Sequence, residues 1–175
     1  ADFRFRQQEV YEAWYQPHSA AALITEAVYG LPEIYRADIR SARLVANPGC
    51  YPTCVLLPLM PLIKNGLVSP ANIVADAKSG VSGAGRGPSL TTHFCEVSES
   101  FKPYKVIQHR HNPEMDENLE LAAGYAVHIT FVPHLLPMTR GMESSVYATP
   151  TPGTTESHVR QCLESYYHDK PFIRL

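Results

Sequence analysis

Cys50 follows Asn47-Pro48-Gly49 and precedes an apolar run that is long enough for a helix. The first amides of a helix have no partner within it, and the helix dipole places partial positive charge there, so a cysteine at this position is stabilised as the thiolate. The thiolate is the reactive form of the side chain, and the position therefore favours a nucleophile. A small residue that fills a buried turn would give the same local pattern, so Cys50 alone leaves both interpretations open.

Two histidines in the run HRHNPE, His109 and His111, could be the acid–base partners of such a nucleophile. A histidine can take the proton of a thiol and return it in a later step. On an extended segment, residues two positions apart face the same side. The same histidines could instead lie on the surface at a helix entry. With a cysteine they could also bind zinc, although their spacing matches no common zinc pattern.

Two loops could bind an anion. The glycine-rich run SGVSGAGRGP at 79–88 can bring backbone amides close to a phosphate, although it matches neither the GxxxxGKS/T nor the GxGxxG pattern. Arg140, in the run PMTRG, lies between two predicted strands, where its guanidinium could bind a carboxylate or phosphate through two parallel hydrogen bonds. A solvated hairpin tip is the alternative for Arg140.

The elements that position these residues follow from hydrophobic spacing and from glycine and proline breakers. We predict helices at 19–29 with Ser19 as the cap, at 53–64, from Pro113 to Ala123, and from a Thr155 cap to about His168. We predict strands at 42–46, 73–77, 104–108, 127–132 and 143–149. The helix at 53–64 contains Pro58 and Pro61 and should be kinked or frayed. The pattern predicts an α+β fold, with helices on one face of a mixed, mostly antiparallel sheet.

The composition is that of one soluble globular domain. The chain has 175 residues, of which 45% are hydrophobic and 18% charged, and its formal net charge is −2. This charge gives no indication of a nucleic-acid or membrane-surface partner, and no stretch approaches the roughly 18 apolar residues that cross a bilayer. Because the N-terminus has no signal-peptide pattern, we expect a cytoplasmic chain with free thiols at Cys50, Cys54, Cys95 and Cys162.

Six segments together resemble the N-acetyl-gamma-glutamyl-phosphate reductase family of the aspartate-semialdehyde dehydrogenase group. They are ADFRF from residue 1, AVYGLPE from 27, VANPGCYPT from 45, KSGVSGAGR from 78, HRHNPE from 109 and VPHLLPMTRG from 132. They occur in the order and at the spacing of that family across nearly the whole chain, and VANPGCYPT and SGVSGAGR are highly specific. The resemblance implies a fold like the C-terminal domain of glyceraldehyde-3-phosphate dehydrogenase.

The resemblance also implies a role for each candidate residue. Cys50 corresponds to the catalytic nucleophile and His109 to the catalytic acid–base histidine. The residues that correspond to substrate-binding or site-organising positions are Arg110, His111, Glu114 and Arg140. The residues that correspond to the loop near the nicotinamide and the transferred phosphate are Ser79, Gly80, Ser82, Gly83 and Arg86.

From this resemblance we expect an NADP-dependent reductase that acts on a small acyl phosphate. Through a Cys50 thioester it would convert N-acetyl-glutamyl 5-phosphate into N-acetyl-glutamate 5-semialdehyde and phosphate, a step of arginine biosynthesis. The motifs also fit a related aminoadipate-phosphate reductase of lysine biosynthesis, or a truncated domain without enzymatic activity. The resemblance further implies a homo-oligomer and no catalytic metal.

Residues 1–175 are expected to form one catalytic and substrate-binding domain that is incomplete at its C-terminal end. In the family, a nucleotide-binding domain with a GxxGYxG-type turn precedes the position of Ala1, and no such turn occurs in this sequence. We therefore expect most of the NADP site to lie outside this chain, and the chain alone to be inactive.

Overall fold

The computed structural model describes residues 2–175; Ala1, with which the ADFRF segment begins, lies outside that range. The α-helices are α1 (Gln8–Trp14), α2 (Pro32–Ser41), α3 (Cys50–Lys64), α4 (Phe94–Val97), α5 (Asn112–Ala123) and α6 (Glu156–Tyr167). The strands are β1 (Val28–Tyr29), β2 (Val45–Ala46), β3 (Ile73–Gly80), β4 (Lys102–Pro103), β5 (Ile129–Leu136) and β6 (Met142–Tyr147). This arrangement confirms the predicted α+β class.

The main sheet has the strand order β4-β5-β3-β6. β3 pairs in parallel with β5, from Ile73 opposite Ile129 to Gly80 opposite Leu136. β3 is antiparallel to β6, and β4 is antiparallel to β5. The sheet is therefore mixed, as predicted, but its long central pairing is parallel. β1 and β2 form a separate parallel pair.

Helices α3 and α5 cover one face of this sheet. Along β3, Ile73, Ala75 and Ala77 are buried, whereas the residues between them are only half-buried, as expected for a strand with one covered face. The buried side chains of α3 pack in the same core with those of β3 and α5. The Tyr51 hydroxyl, at the start of α3, lies 3.4 Å from the carbonyl oxygen of His134 near the end of β5. The first turn of α3 therefore lies beside the carboxyl ends of the two parallel strands.

α3 differs from its prediction in both its start and its regularity. It begins at Cys50 and not at residue 53, and it continues to Lys64 without a break at Pro58 or Pro61. Pro61 has no N–H for the Leu57 carbonyl, the acceptor four residues before it. The Tyr167 hydroxyl of α6 donates to that carbonyl at 2.5 Å. A side chain from another helix thus replaces the missing hydrogen bond, and the predicted fraying was wrong.

Two predicted elements do not form. The helix predicted at 19–29 is a 3₁₀ helix at Ala21–Glu26, with Ala20 and not Ser19 before it, and β1 follows. Because β1 pairs with β2, the backbone must be extended there and the helix cannot continue. The strand predicted at 104–108 is a turn in which Lys105 and Ile107 have positive φ values of 45° and 61°, and the pairing strand β4 lies earlier in the chain.

The remaining predictions differ mainly in their boundaries. The strands predicted at 42–46, 73–77, 127–132 and 143–149 correspond to β2, β3, β5 and β6. β3 includes the first two residues of the predicted glycine-rich loop, and a 3₁₀ helix at Val81–Ala84 follows it. α5 ends at Gly124 in the left-handed conformation, as predicted. Thr155 caps α6 by accepting a hydrogen bond from the His158 amide, also as predicted. The helices α1, α2 and α4 were not predicted.

Candidate active site

Cys50 is the first residue of α3, directly after the turn that ends β2, and its side chain is exposed. Helix geometry leaves the amides of Cys50 and Tyr51 without an acceptor inside the helix, and Pro52 has no amide hydrogen. The thiol is therefore accessible and lies beside free N–H donors at the positive end of a fifteen-residue helix.

The turn before Cys50 is held from α5. Glu114 of α5 is fully buried, and its Oε1 accepts hydrogen bonds from the Gly49 amide at 2.8 Å and from the Tyr29 hydroxyl at 2.7 Å. A Cβ at Gly49 would stand 2.6 Å from His111 Nε2, which is closer than atoms of a side chain can approach. Position 49 must therefore be glycine for His111 to lie where it does.

His109 and His111 lie together beside the Cys50 turn, directly before α5. Their ring centroids are 4.7 Å apart, and the Tyr51 ring stands at 5.6 Å from His109 and 6.1 Å from His111 in edge contact. Their segment is a turn and not an extended strand, but the two rings are adjacent, as the spacing predicted. The two neighbours of Cys50 in the chain, Gly49 and Tyr51, thus both contact this histidine pair.

Burial keeps both histidines neutral at pH 7. It lowers the pKa of His109 to about 4, and the positive charges of Lys105 and Arg110 add to the shift. It lowers the pKa of His111 to about 3, with His109, Arg4 and Arg110 contributing. His109 Nδ1 accepts a hydrogen bond from the His111 amide at 3.1 Å. A neutral imidazole with an accepting Nδ1 carries its proton on Nε2, so His109 presents an N–H donor.

The glycine-rich run and the Arg140 loop, predicted separately as anion-binding loops, pack against each other. The amides of Gly80, Val81 and Ser82 donate to carbonyls at positions 141, 138 and 139 at 2.8–3.1 Å. A Cβ at Gly80 would stand 2.8 Å from the amide nitrogen of Arg140. The glycine therefore permits the close approach of the two loops.

The cofactor-loop candidates occupy different environments. Ser79 is buried and donates to the Gly80 carbonyl, whereas Ser82, Gly83 and Arg86 are exposed. Ser82 and Arg86 line a cavity of about 490 Å³ together with the 137–139 segment. At Gly83 a Cβ would stand 2.7 Å from Ser79 Oγ, so the backbone of Gly83 packs closely against that hydroxyl and leaves no room for a side chain.

Tyr51 lies between the histidine pair and the glycine-rich run. Its ring contacts His109 and His111, and its hydroxyl lies near the Ser79 side chain. Its hydroxyl is 3.1 Å from that of Tyr104. Burial raises the pKa of Tyr51, the Tyr104 hydroxyl adds to the rise, and the nearby Ser79 side chain opposes it. Arg140 is exposed on its loop, and the exposed Arg110 stacks its guanidinium over the Tyr15 ring at 5.6 Å.

Four further site residues, Arg4, Tyr29, Tyr51 and Tyr104, were not predicted from the sequence. Arg4, Tyr29 and Tyr51 do lie within three of the family segments, ADFRF, AVYGLPE and VANPGCYPT, and this was the signal that could have identified them. Within residues 2–175, no three His, Cys, Asp or Glu side chains come together in a way that could hold a metal ion. Across the same residues, no helix has both the length and the apolar character to cross a membrane.

The fold and this site define a class of protein. The chain belongs to the semialdehyde dehydrogenase family, because the family model described as "Semialdehyde dehydrogenase, dimerisation domain" matches residues 50–175. The match begins at Cys50 itself and includes the loops and histidines described above.

Relatives with high identity carry a more specific name, which confirms the resemblance found in the sequence. The N-acetyl-gamma-glutamyl-phosphate reductase of Desulforapulum autotrophicum is 60% identical over 175 residues, which are 100% of this chain and 51% of that protein. The enzyme of the same name from Syntrophobacter fumaroxidans is 55% identical over the same lengths. The chain therefore spans about half the length of the curated relatives it matches.

Solved structures share the fold at much lower identity. Aspartate semialdehyde dehydrogenase II from Vibrio cholerae superposes with a TM-score of 0.61 at 16% identity, over 80% of this chain and 49% of that chain. Aspartate semialdehyde dehydrogenase from Candida albicans, solved with NADP, superposes with a TM-score of 0.56 at 12% identity, over 81% of this chain and 45% of that chain. These likenesses establish the fold alone.

Proposed function

We propose that this chain is the catalytic and substrate-binding domain of an NADP-dependent reductase that converts N-acetyl-glutamyl 5-phosphate into N-acetyl-glutamate 5-semialdehyde and phosphate. The observation that carries the proposal is the exposed Cys50 at the start of α3, between two residues that contact the buried histidine pair. The names of the relatives support the substrate. Because the chain spans half of those relatives, the complete activity is proposed for the longer protein, as a cytoplasmic enzyme.

The residues of this chain supply a covalent route. The Cys50 thiolate attacks the acyl carbon of the acyl phosphate, the C–O bond to phosphate breaks, and a thioester forms. The free amides at the start of α3 and the Nε2–H of His109 donate hydrogen bonds to the oxygen that becomes negative. After reduction, the C–S bond of the thiohemiacetal anion breaks, which gives the aldehyde and restores the thiolate. In this route His109 donates a hydrogen bond to that oxygen and transfers no proton, so the acid–base role that the resemblance implies for it stays a prediction.

We propose that the loop at 79–86 contacts one end of NADP. NADPH, when bound, would supply the hydride that reduces the thioester. The cavity lined by Ser82 and Arg86 could receive the nicotinamide end. We assign that contact to Ser79, Gly80, Ser82, Gly83 and Arg86. The remainder of the cofactor would bind to a part of the protein beyond this chain.

The predicted substrate-binding residues divide into two groups. Arg110 and Arg140 are exposed and could bind the carboxylate or phosphate of the substrate. His111 is 7% exposed, and Glu114 is 0% exposed with its oxygens directed at Gly49, Tyr29 and Arg4. We therefore assign His111 and Glu114 to organising the site, and direct substrate contact to the arginines.

Thiol labelling tests the nucleophile on the chain itself. Iodoacetamide at pH 7, followed by peptide mass spectrometry, should modify Cys50 faster than the three other cysteines, because it is exposed at a helix N-terminus. Cys95 is the matched comparison, because its side chain is also exposed. It is the second residue of the short helix α4. Equal labelling rates at Cys50 and Cys95 would count against an activated nucleophile.

An assay of the longer protein tests the reaction and the substrate. In the reverse direction, with N-acetylglutamate semialdehyde, phosphate and NADP, the wild-type protein should form NADPH, Cys50→Ser should abolish this, and Cys54→Ser should retain it. A clear preference for the aminoadipate analogue would instead identify the protein as the related aminoadipate-phosphate reductase of lysine biosynthesis. No turnover of either aldehyde by a folded protein would contradict the proposal.

We also propose that the longer protein is a homo-oligomer, because the matched family model is described as a dimerisation domain. Sedimentation velocity should give a mass of at least two chains. A monomer at micromolar concentration would contradict this part of the proposal.

A further inference from the structure

The segment at 2–6 contains most of the ADFRF motif. It contacts the two parts of the structure that hold the Cys50 turn, which are the loop before Cys50 and helix α5. Arg4 Nε donates to the Asn47 carbonyl at 2.7 Å, and Arg4 Nη1 lies 3.5 Å from Glu114 Oε2. The Arg6 amide donates to the Glu117 carboxylate at 3.1 Å, one helical turn further along α5. The segment thus contacts the loop before Cys50 and α5 at the same time.

Arg4 is also the cation that the structure pairs with a buried carboxylate. The side chain of Glu114 is 0% exposed and that of Arg4 is 15% exposed. Burial raises the pKa of Glu114, whereas the Gly49 amide, Arg4 and the Tyr29 hydroxyl oppose the rise. Removing one partner of a buried pair leaves an uncompensated charge, so the carboxylate takes up a proton more readily.

We propose that Arg4 is a positioning residue for Cys50: its guanidinium holds the Asn47 carbonyl and supplies the charge that keeps Glu114 as the acceptor of the Gly49 amide. The amide of Gly49 belongs to the residue directly before the thiol, so the carboxylate fixes the first turn of α3. A hydrogen bond to an ionised acceptor is about twice as strong as a neutral one, and protonation of Glu114 would weaken it. The catalytic meaning of this network rests on the proposed function, whereas the network itself does not.

The test follows the Gly49 amide in the 175-residue chain. Its ¹⁵N–¹H chemical shifts report the protonation of Glu114 when pH is varied, and Glu114→Gln should remove that titration. In Arg4→Met the midpoint of this Glu114 titration should rise by about one pH unit or more, because a neighbouring guanidinium lowers a carboxyl pKa by roughly 1–3 units. Arg4→Lys should lie closer to the wild type, since it retains the charge.

Arg43→Met is the matched control, because Arg43 forms a salt bridge with Glu26 at the surface and its side chain is 85% exposed. This variant should keep the wild-type midpoint. If Arg4→Met does not fold, Arg4→Gln keeps a donor for the Asn47 carbonyl and carries the same comparison. A Gly49 midpoint that is unchanged in the Arg4 variant would overturn the proposal.

A second measurement separates positioning from general stability. The iodoacetamide rate at Cys50 should fall at least about threefold in Arg4→Met and in Glu114→Gln, since a loss of roughly 0.7 kcal/mol in organisation of the turn corresponds to that factor. Because Arg4 acts partly through Glu114 and partly through the Asn47 carbonyl, the loss in the double variant should be smaller than the sum of the two single losses. Additive losses would overturn the coupling. Because neither experiment uses substrate, NADP or the longer protein, failure of the reverse assay would leave both results interpretable.

Discussion

At Gly49 the backbone passes so close to α5 that one added carbon would disturb the site. A Cβ there would lie 2.6 Å from His111 Nε2 and 2.9 Å from Glu114 Oε2. The φ value of −64° suits any residue, so the effect of Gly49→Ala is steric and not a matter of backbone strain. We expect a loss of about 1–3 kcal/mol in the free energy of unfolding, together with slower alkylation of Cys50.

Urea unfolding of the chain measures this loss, and Gly87→Ala is the control. A Cβ at Gly87 would meet no atom within 4 Å, and the residue has no positive φ, so an alanine there should cost almost nothing. Equal stability of the two variants would show that the Gly49 turn can relax, and would remove the steric reason for glycine at this position.

The sequence predicted the reactive residues of the site better than the residues that hold them in place. Cys50, His109 and the loops were identified because their residue types and local context indicate chemistry. Glu114 appeared in a motif, but its contacts with Gly49, 65 positions away, and with Arg4, 110 positions away, depend on tertiary packing. No local spacing could show that its carboxylate is buried. This explains why the sequence left open both substrate binding and site organisation for a residue that the structure places beneath the turn.

At the scale of elements, α3 depends on α6 for a hydrogen bond that its own sequence cannot make. Tyr167→Phe removes the donor to the Leu57 carbonyl, which Pro61 leaves without a helical partner. We expect a loss of about 1–2 kcal/mol in the free energy of unfolding, because a partly buried acceptor then has no donor. Tyr147→Phe, at a tyrosine that is 60% exposed, is the control and should be nearly neutral.

A double-mutant cycle identifies the cause of the stability loss in Tyr167→Phe. Pro61→Ala restores an amide that can donate to the Leu57 carbonyl, so the cost of Tyr167→Phe should be smaller in that background. The same cost in both backgrounds would mean that Tyr167 stabilises the chain by packing and not by replacing the proline-disrupted hydrogen bond.

Elements with strong periodicity or clear end signals were predictable, and short apolar runs were not. α5 and α6 combine helical spacing with Gly124 and Thr155 at their ends, and both form close to the predicted positions. The run YKVIQ at 104–108 has the composition of a strand, yet Ile107 is 60% exposed and the chain turns there. After that turn the chain buries the side chains of His109 and His111. The physical reason for the turn is long-range packing, which five residues cannot encode.

At the scale of the whole molecule, the α+β class followed from the elements, but the order of the strands did not. β5 and β6 were predicted as antiparallel strands, and in the structure β3 lies between them. This order brings the ends of β3 and β5 beside the first turn of α3, and so creates the site from segments far apart in sequence. The protonation of that site should therefore be linked to the stability of the entire chain.

The buried histidines should make folding sensitive to mild acid. The pKa of His109 is about 4 and that of His111 about 3 in the folded chain, whereas an unfolded histidine has a pKa near 6.5. Between these values the unfolded chain binds more protons, so stability falls as the pH decreases through that window. Urea unfolding at pH 7.5 and 5.5 should show a loss on the order of 2 kcal/mol from the two groups together.

Buried carboxyl groups have the opposite effect on how stability changes with pH, so the measurement must distinguish their effect from that of the histidines. The pKa values of Glu114, Asp116 and Glu117 are raised by burial, so these groups favour the folded state as they become protonated. The His109→Asn and His111→Asn double variant removes only the histidine part, and its stability should change less between pH 7.5 and 5.5 than that of the wild type. His168→Asn, at an exposed site, is the control. If the double variant kept the full wild-type loss, the acid sensitivity would not arise from the histidines beside Cys50.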